Sequence, residues 1–169
     1  MSAACTIRPA MPGDAGRIGQ VYDEGIRSGQ ATFASGSHPA EERRAWLAGR
    51  GRRAPVFVGE IDGGIAGWSA LAPFSAREWY DGVAEYTVYL AAAHRGKGAG
   101  AAMLSHLIET APSLGYWKMV GMILADNAGG LALAASAGFR TVGIYKAHGR
   151  IGGEWRDVAL VERHLENPA

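Results

Sequence analysis

The spacing of hydrophobic positions changes several times along the chain, and each change marks a predicted element. Apolar side chains recur at helical spacing within residues 12–29, which predicts an amphipathic helix, and a second helix is expected over residues 39–47. Ahead of both, residues 6–10 are predicted to form a short strand. Pro9 in this strand cannot donate a backbone hydrogen bond, so the strand is expected at the edge of a sheet.

The rest of the chain reads mainly as strands with two further helices between them. Residues 62–64, Asp-Gly-Gly, have the composition of a tight hairpin turn. The pattern predicts, in order, strands 56–61, 65–71 and 83–90, a helix 98–113, a strand 117–124, a helix 127–137, a strand 140–146, a turn 149–153 and a strand 155–161. The order β-α-α-β-β-β-α-β-α-β-β predicts a single α/β domain over residues 1–169, with a mixed sheet.

One loop, between the predicted strand 83–90 and the helix that follows it, concentrates glycines and cations. Its sequence is His94-Arg95-Gly96-Lys97-Gly98-Ala99-Gly100-Ala101. The first turn of a helix has unpaired N–H groups and a partial positive charge, and glycine lets an anion approach the backbone closely. We therefore expect a phosphate-binding site here rather than a plain turn with solvated basic residues.

The glycine spacing leaves more than one phosphate ligand open. The P-loop pattern fails, because no Gly-Lys-Ser/Thr follows at the required spacing. Gly96-x-Gly98-x-x-Ala101 fits the relaxed dinucleotide fingerprint, although residues 91–95 separate it from its strand. The same loop also resembles the acetyl-CoA signature Arg/Gln-x-x-Gly-x-Gly/Ala of the GCN5-related N-acetyltransferases, the GNAT family, in which Arg95, Gly98 and Gly100 fill the pattern.

The resemblance to the GNAT family extends over essentially the whole chain and includes Asn127 and the Ala-Gly-Phe at 137–139. It implies the GNAT fold: a mixed, mostly antiparallel sheet with helices around it, in which the fourth and fifth strands diverge. It also implies acetyl-CoA as cosubstrate, with pyrophosphate on the backbone amides of 96–101 and pantetheine along the fourth strand. The implied binding residues are Val88, Tyr89, Leu90, Arg95, Gly96, Lys97, Gly98, Ala99, Gly100, Ala101 and Asn127.

Within the family, four segments resemble the phosphinothricin and methionine sulfoximine acetyltransferases. They are Thr32-Phe33, the aromatic loop 74–80, Glu85-x-Thr-Val-Tyr89 and Gly153-x-Trp-x-Asp-Val158. These relatives acetylate the α-amino group of small, glutamate-like amino acids, and they are dimers. The resemblance therefore implies a small amine or amino-acid substrate, direct acetyl transfer in a ternary complex, and a second copy of this chain as partner.

Such an enzyme must remove a proton from the acceptor's ammonium group before the amine can attack. Glu85 is the candidate base, because it is a charge on an otherwise apolar strand, where burial would raise its pKa toward the useful range. The alternative is a carboxylate paired with an arginine or facing solvent. A backbone N–H near Val88 or Tyr89 is expected to hold the oxyanion. The expected substrate-binding residues are Phe33, Phe74, Arg77, Tyr80, Thr87 and Arg150.

Two of the expected substrate-binding residues are arginines with a specific expected role, and two other positions hold residues that differ from those common in the relatives. Arg77 would bind the substrate carboxylate, and Arg150 would reach the pocket from this chain or from a second subunit. Ser75 stands where the relatives often carry a basic residue, and Ala134 where many carry Tyr or His to protonate the departing thiolate. The alternatives are therefore acetylation of another small amine, a dinucleotide-dependent oxidoreductase or a non-catalytic CoA-binding sensor.

Composition limits the classes of partner that are expected for this chain. The 169 residues carry 17 basic and 16 acidic side chains, so the net charge of +1 argues against a nucleic-acid partner. The basic segment 50–53 is expected to be a solvated helix end. A lone Cys5 and five histidines without paired spacing predict neither a disulfide framework nor a metal site. With no signal-peptide pattern and no apolar run near the roughly 20 residues that span a bilayer, a cytoplasmic protein without a membrane partner is expected.

Overall fold

The predicted helices and strands are present in the predicted order in the computed structural model, which describes residues 4–165. Four short 3₁₀ turns lie between them. The elements are β1 (Thr6–Pro9), α1 (Ala15–Ser28), α2 (Ala40–Ala48), β2 (Val56–Ile61), β3 (Gly64–Pro73), β4 (Val83–Leu90), α3 (Ala99–Thr110), β5 (Lys118–Leu124), α4 (Ala128–Ser136), β6 (Arg140–Ile151) and β7 (Glu154–His164). No helix within residues 4–165 has the length and hydrophobicity needed to cross a membrane.

Alternating side chains on the central strands divide the core into two layers. Phe57 on β2 joins the cluster formed with α3 and α4, whereas its neighbours Val56 and Val58 join the cluster formed with α1. Leu104 and Leu107 of α3 are fully buried in the first cluster. Each such side chain contributes about 1.5–3 kcal/mol on burial, so helical packing on both faces fixes the sheet between them.

The sheet has the strand order β1-β2-β3-β4-β5-β7-β6, and β1 is an edge strand, which confirms the expected place of Pro9. Neighbouring strands are antiparallel except β4 and β5, which run parallel. These two pair over only three residues each, 83–85 with 118–120, and then diverge. This confirms the mixed, mostly antiparallel GNAT-type sheet with diverging fourth and fifth strands.

The last hairpin is longer than the sequence pattern predicted. The strand predicted from residue 140 is present, but its predicted end at 146 and the predicted turn 149–153 were wrong, since β6 continues to Ile151 and the turn consists of Gly152 and Gly153, both with positive φ. Two register shifts in β6 absorb the additional residues. Trp155 at the start of β7 is 58% exposed, and its ring lies 4.1 Å from the Arg150 guanidinium carbon.

The arginines of segment 50–53 differ in their surroundings, which corrects the expectation of a solvated helix end. Arg50 donates from Nε to the Ala54 carbonyl at 2.8 Å and from Nη2 to the Leu71 carbonyl on β3 at 2.5 Å. Arg53 donates from Nε to the Leu114 carbonyl at 3.0 Å, and its guanidinium lies 4.6 Å from the Tyr116 ring centre. These two side chains tie the loop after α2 to the rest of the protein.

Candidate active site

The divergence of β4 from β5 is accompanied by a groove of about 520 Å³ and a cavity of about 620 Å³. The groove is lined by the start of α3, the end of β4 and α4. The cavity is lined by β4, β5 and the β6–β7 hairpin. The residues common to both linings are Ala31, Val88, Tyr89, Asn127, Gly130 and Leu133. The two spaces therefore meet along the second half of β4.

The glycine-rich turn has the backbone conformation that makes close approach to a phosphate possible. Gly96 and Gly98 have φ values of 70° and 87°, which L side chains rarely adopt. Gly98 is the N-cap of α3, and its carbonyl accepts from the Ala102 N–H at 3.1 Å. The first-turn N–H groups beyond it have no partner within a helix, so they can bind an anion.

The structure brings nine of the eleven predicted acetyl-CoA residues into the groove lining and leaves out Lys97 and Ala99. The Arg95 side chain folds back along the groove, where Nε donates to the Leu90 carbonyl at 3.2 Å. Lys97 Nζ donates to the Ala93 carbonyl at 2.7 Å. Ala99 is only 2% exposed and packs below the turn. The roles of individual residues in binding stay predictions.

Asn127 stands at the junction of groove and cavity because its side chain caps α4. Its Oδ1 accepts from the Gly130 N–H at 2.9 Å. A Cβ at position 130 would lie 2.9 Å from Asn127 Nδ2, so glycine makes room for the amide. With its oxygen engaged in the cap, Asn127 keeps the Nδ2 hydrogens to donate to a ligand.

Glu85 is the acidic residue in the cavity lining, on the same face of β4 as Thr87 and Tyr89. Its neighbours in register are Ala72 on β3 and Val120 on β5, which offer it no charge. Within residues 4–165 the Glu85 carboxylate makes no hydrogen bond or ion pair. Burial raises the pKa of Glu85 above its ordinary value, because desolvation disfavours the charged form.

Two tyrosines of β4, Tyr86 and Tyr89, line the cavity, and only Tyr89 was predicted to be a site residue. Tyr89 stacks on Trp68 with ring centres 5.0 Å apart, and its hydroxyl donates to the Ala31 carbonyl at 3.3 Å. Tyr86 fills the gap between the diverging strands, where a Cβ at Gly121 would lie 2.4 Å from its ring. Burial raises the pKa of both tyrosines to about 12, so both stay protonated at neutral pH.

The far side of the cavity combines the loop after α1 with the last hairpin. Phe33 packs directly on β6, since a Cβ at Gly149 would lie 2.6 Å from its ring. His148 and Arg150 on either side of that glycine also line the cavity. Of the predicted substrate residues, Phe33, Thr87 and Arg150 thus meet Glu85 in one cavity of a single chain.

The other three predicted substrate residues are not brought into either lining. Phe74 and Tyr80 pack edge to face with ring centres 6.3 Å apart, in the exposed loop before β4. Arg77 lies 5.9 Å from the centre of the Trp79 ring. Their roles in substrate binding stay predictions.

Several lining residues had no signal in the sequence. Ser28, Gln30 and Ala31 reach the groove because Gly29 ends α1 with a φ of 64° and turns the chain toward β4. His148 was one of five histidines without a spacing pattern. Ala134 is buried, and because its side chain is a methyl group α4 supplies no ionisable group at this position.

Comparison with known proteins identifies the class of enzyme to which this fold belongs. Residues 7–160 match the family described as "Acetyltransferase (GNAT) domain". The chain belongs to the GNAT acetyltransferase family and is an N-acetyltransferase. This membership sets the dinucleotide-dependent oxidoreductase aside. Within residues 4–165 no group of three or more His, Cys, Asp or Glu could hold a metal ion.

Individual relatives are similar over nearly their whole length. The phosphinothricin N-acetyltransferase of Streptomyces viridochromogenes is 29% identical over 96% of this chain and 89% of its own. The L-methionine sulfoximine/L-methionine sulfone acetyltransferase of Salmonella typhimurium is 29% identical over 97% and 96%. A phosphinothricin acetyltransferase from Sinorhizobium meliloti, solved in complex with acetyl-CoA, is 31% identical over 98% and 89%, with a TM-score of 0.87.

Proposed function

We propose that this chain transfers the acetyl group of acetyl-CoA to the α-amino group of a small amino acid or analogue, of the phosphinothricin, methionine sulfoximine or methionine sulfone type. The observation that carries the proposal is the position of Glu85. This carboxylate, which has no partner within residues 4–165, lines a cavity that meets the groove starting at the phosphate-binding turn. The acceptors of the similar enzymes support the choice of substrate class.

The groove provides the groups that acetyl-CoA requires. Backbone N–H groups at the start of α3 would bind the pyrophosphate, and Arg95 would add positive charge. Beyond Glu85, β4 has lost β5 as a hydrogen-bonding neighbour, so its edge over residues 86–90 can pair with the amides of pantetheine as with an added strand. Asn127 Nδ2 would donate to the same arm.

In the cavity, Glu85 would accept a proton from the acceptor's ammonium, directly or through one water. The amine nitrogen then forms a bond to the thioester carbonyl carbon, the carbon–sulfur bond breaks, and the second proton lost by the nitrogen passes through water to the departing thiolate. A backbone N–H near Val88 or Tyr89 would hold the oxyanion. The only cysteine, Cys5, lies outside both linings beside Gly59. Direct transfer without a thioester on the enzyme therefore fits the site.

A homodimer forms part of the proposal. The outer part of edge strand β6 exposes apolar side chains, including Val142 and Ile144 at 45% each and Tyr145 at 44%. Covering such a patch with a second copy would bury apolar area in the way that stable interfaces do. Sedimentation at micromolar concentration should give twice the chain mass, whereas a monomer would contradict this part.

The test of the function is thiol release from acetyl-CoA with a panel of acceptors. The panel contains phosphinothricin, methionine sulfoximine, methionine sulfone, the common amino acids and simple amines that lack a carboxylate. We expect release with one or more of the amino-acid-like acceptors and acetylation of their α-amino group by mass spectrometry. Release only with simple amines would make another amine the substrate. Binding of acetyl-CoA without release by any amine would favour the sensor alternative.

A further inference from the structure

The β6–β7 hairpin contains a bulge between Tyr145 and Gly149. Tyr145 is opposite Val158 and Gly149 is opposite Arg156, so residues 146–148 on β6 face a single residue, Asp157, on β7. A bulge of this kind bends its strand and changes the direction of the side chains beyond it.

Asp157 holds the bulge with both carboxylate oxygens. Oδ1 accepts from the Ala147 N–H at 2.8 Å, and Oδ2 accepts from Lys146 Nζ at 2.8 Å. Ala147 has a φ of 48°, a conformation that a residue with a Cβ keeps only where its surroundings enforce it. The hydrogen bond from Lys146 lowers the pKa of Asp157 below its ordinary value, so the carboxylate stays ionised at neutral pH.

The residues after the bulge reach the cavity with their side chains already oriented. His148 stacks on Tyr145, with ring centres 4.6 Å apart and planes at 18°. The Arg150 guanidinium carbon lies 4.1 Å from the centre of the Trp155 ring. Neither side chain makes an ion pair within residues 4–165, so the Arg150 charge is available to a ligand.

The two signs of charge in the cavity come from different elements. Among the described residues that line it, Glu85 on β4 is the acid and Arg150 on β6 is the permanent cation. Guanidinium binds carboxylate, phosphinate and similar anions in a fork of parallel hydrogen bonds. An acceptor with an amine at one end and an anion at another would satisfy both.

We propose that Asp157 is a positioning residue, whose bulge directs His148 and Arg150 to bind an anionic group of the acceptor while Glu85 takes the amine proton. The proposal rests on the proposed function and names the elements that would select among acceptors. The anion is either the α-carboxylate or an acidic group on the acceptor's side chain, and the two are distinguished by experiment.

The experiment compares acceptors that differ by one charge. L-Methionine sulfone against its carboxamide tests the α-carboxylate, and phosphinothricin against methionine sulfone tests a side-chain anion. Arg150→Met and His148→Phe remove the anion-binding groups, and Asp157→Ala removes the anchor. Asp157→Asn keeps an oxygen that can accept from the Ala147 N–H. Arg52→Met is the matched control, because it removes an exposed cation that lies outside the bulge and lines neither the groove nor the cavity.

For Arg150→Met we expect KM for the charged acceptor to rise about 10–100-fold, the usual worth of a hydrogen-bonded charge, with kcat nearly unchanged. KM for the matched uncharged acceptor should stay within about threefold, and so should both KM values for Arg52→Met. His148→Phe should give a smaller loss of the same selectivity. Asp157→Ala should reproduce the Arg150 pattern and Asp157→Asn should restore part of it, with melting curves showing that each variant is folded.

Each outcome separates this inference from the function on which it rests. Equal losses on charged and uncharged acceptors, or unchanged KM in Arg150→Met, would overturn the inference and leave the acetyltransferase function standing. Asp157→Ala with normal selectivity would overturn the positioning role alone. A wild-type protein that acetylates no amino-acid-like acceptor would overturn both.

Discussion

Two glutamates lie in one row across the sheet, on either side of Val120, and their electrostatic surroundings differ. Glu85 on β4 and Glu162 on β7 are both register neighbours of Val120. Glu162 is 7% exposed and is held by ion pairs from Lys118 and Arg140. Glu85 has no such partner within the described residues, although it is half-buried.

The difference appears in the electrostatics of the two carboxylates. The Lys118 hydrogen bond and the nearby charges lower the pKa of Glu162 below its ordinary value. Desolvation raises the pKa of Glu85. A paired carboxylate stabilises the fold, whereas an unpaired one in a cavity weakens it and is available to take a proton. The comparison separates a structural acid from a candidate catalytic one.

The largest expected effect is on turnover. Glu85→Gln should reduce kcat at pH 7 about 10²–10⁴-fold, the usual worth of a general base, because glutamine keeps the size but cannot accept the proton. Acetyl-CoA binding, measured by calorimetry, should stay close to the wild-type value. Glu162→Gln is the matched control, and its folded fraction should keep nearly full turnover. A large loss of turnover in both variants would contradict the assignment of Glu85 as the base and Glu162 as a structural acid.

The next largest effect is on the free energy of unfolding, and we expect it when Glu162 is substituted. Glu162→Gln should lower the free energy of unfolding by about 1–3 kcal/mol, because Lys118 and Arg140 lose their shared counter-charge. Glu85→Gln should cost nothing measurable or should stabilise the protein. Urea unfolding at pH 7 checks both, and equal destabilisation by the two substitutions would contradict the comparison.

A third change separates cosubstrate binding from proton removal. Gly98→Val forces a side chain onto a φ of 87° at the turn, so acetyl-CoA affinity should fall at least about tenfold, or about 1.4 kcal/mol. Gly115→Val is the matched control, since Gly115 has a φ of 85°, open space around it and no place in either lining. It should cost similar stability and leave affinity unchanged. Unchanged affinity in a folded Gly98→Val protein would refute the phosphate-binding role.

The smallest effect is a pair of opposite pH slopes. Glu162, with a lowered pKa, stabilises the fold above its ordinary pKa of 4.5, and this stabilisation is lost as the pH falls through its folded pKa. Glu85, with a raised pKa, destabilises the fold increasingly as the pH rises from 4.5 toward its folded pKa. Relative to wild type, Glu85→Gln should therefore gain less than about 1 kcal/mol between pH 4.5 and 7. Melting curves from below pH 4.5, where the Glu162 contribution is lost, up to pH 7 check both signs.

The sequence predicted the fold well because the signals that define it are local. The spacing of apolar residues set the order of elements, and glycines marked the turn before α3. The hairpin was the exception. Asp157 accepts from the N–H of Ala147, which has a left-handed conformation, and β6 continues into the predicted turn; neither residue signals a bulge by its type alone. Long-range hydrogen bonds of this kind cannot be read from periodicity.

The candidate site was predictable to the extent that its residues share one strand or one turn. Glu85, Val88 and the glycines of the turn come from contiguous segments. The packing of the Tyr86 ring against Gly121 was not predicted, because it depends on the distance between two diverging strands.

The pH dependence of kcat for wild type and Glu85→Gln tests the central claim most directly. If Glu85 accepts the amine proton, wild-type kcat should fall on the acidic side through a group with a pKa above 4.5, and this limb should change in the variant. Raising the pH should restore part of the variant's turnover, because more of the amine is then already deprotonated. Near-normal turnover of Glu85→Gln at pH 7, with an unchanged acidic limb, would contradict the account.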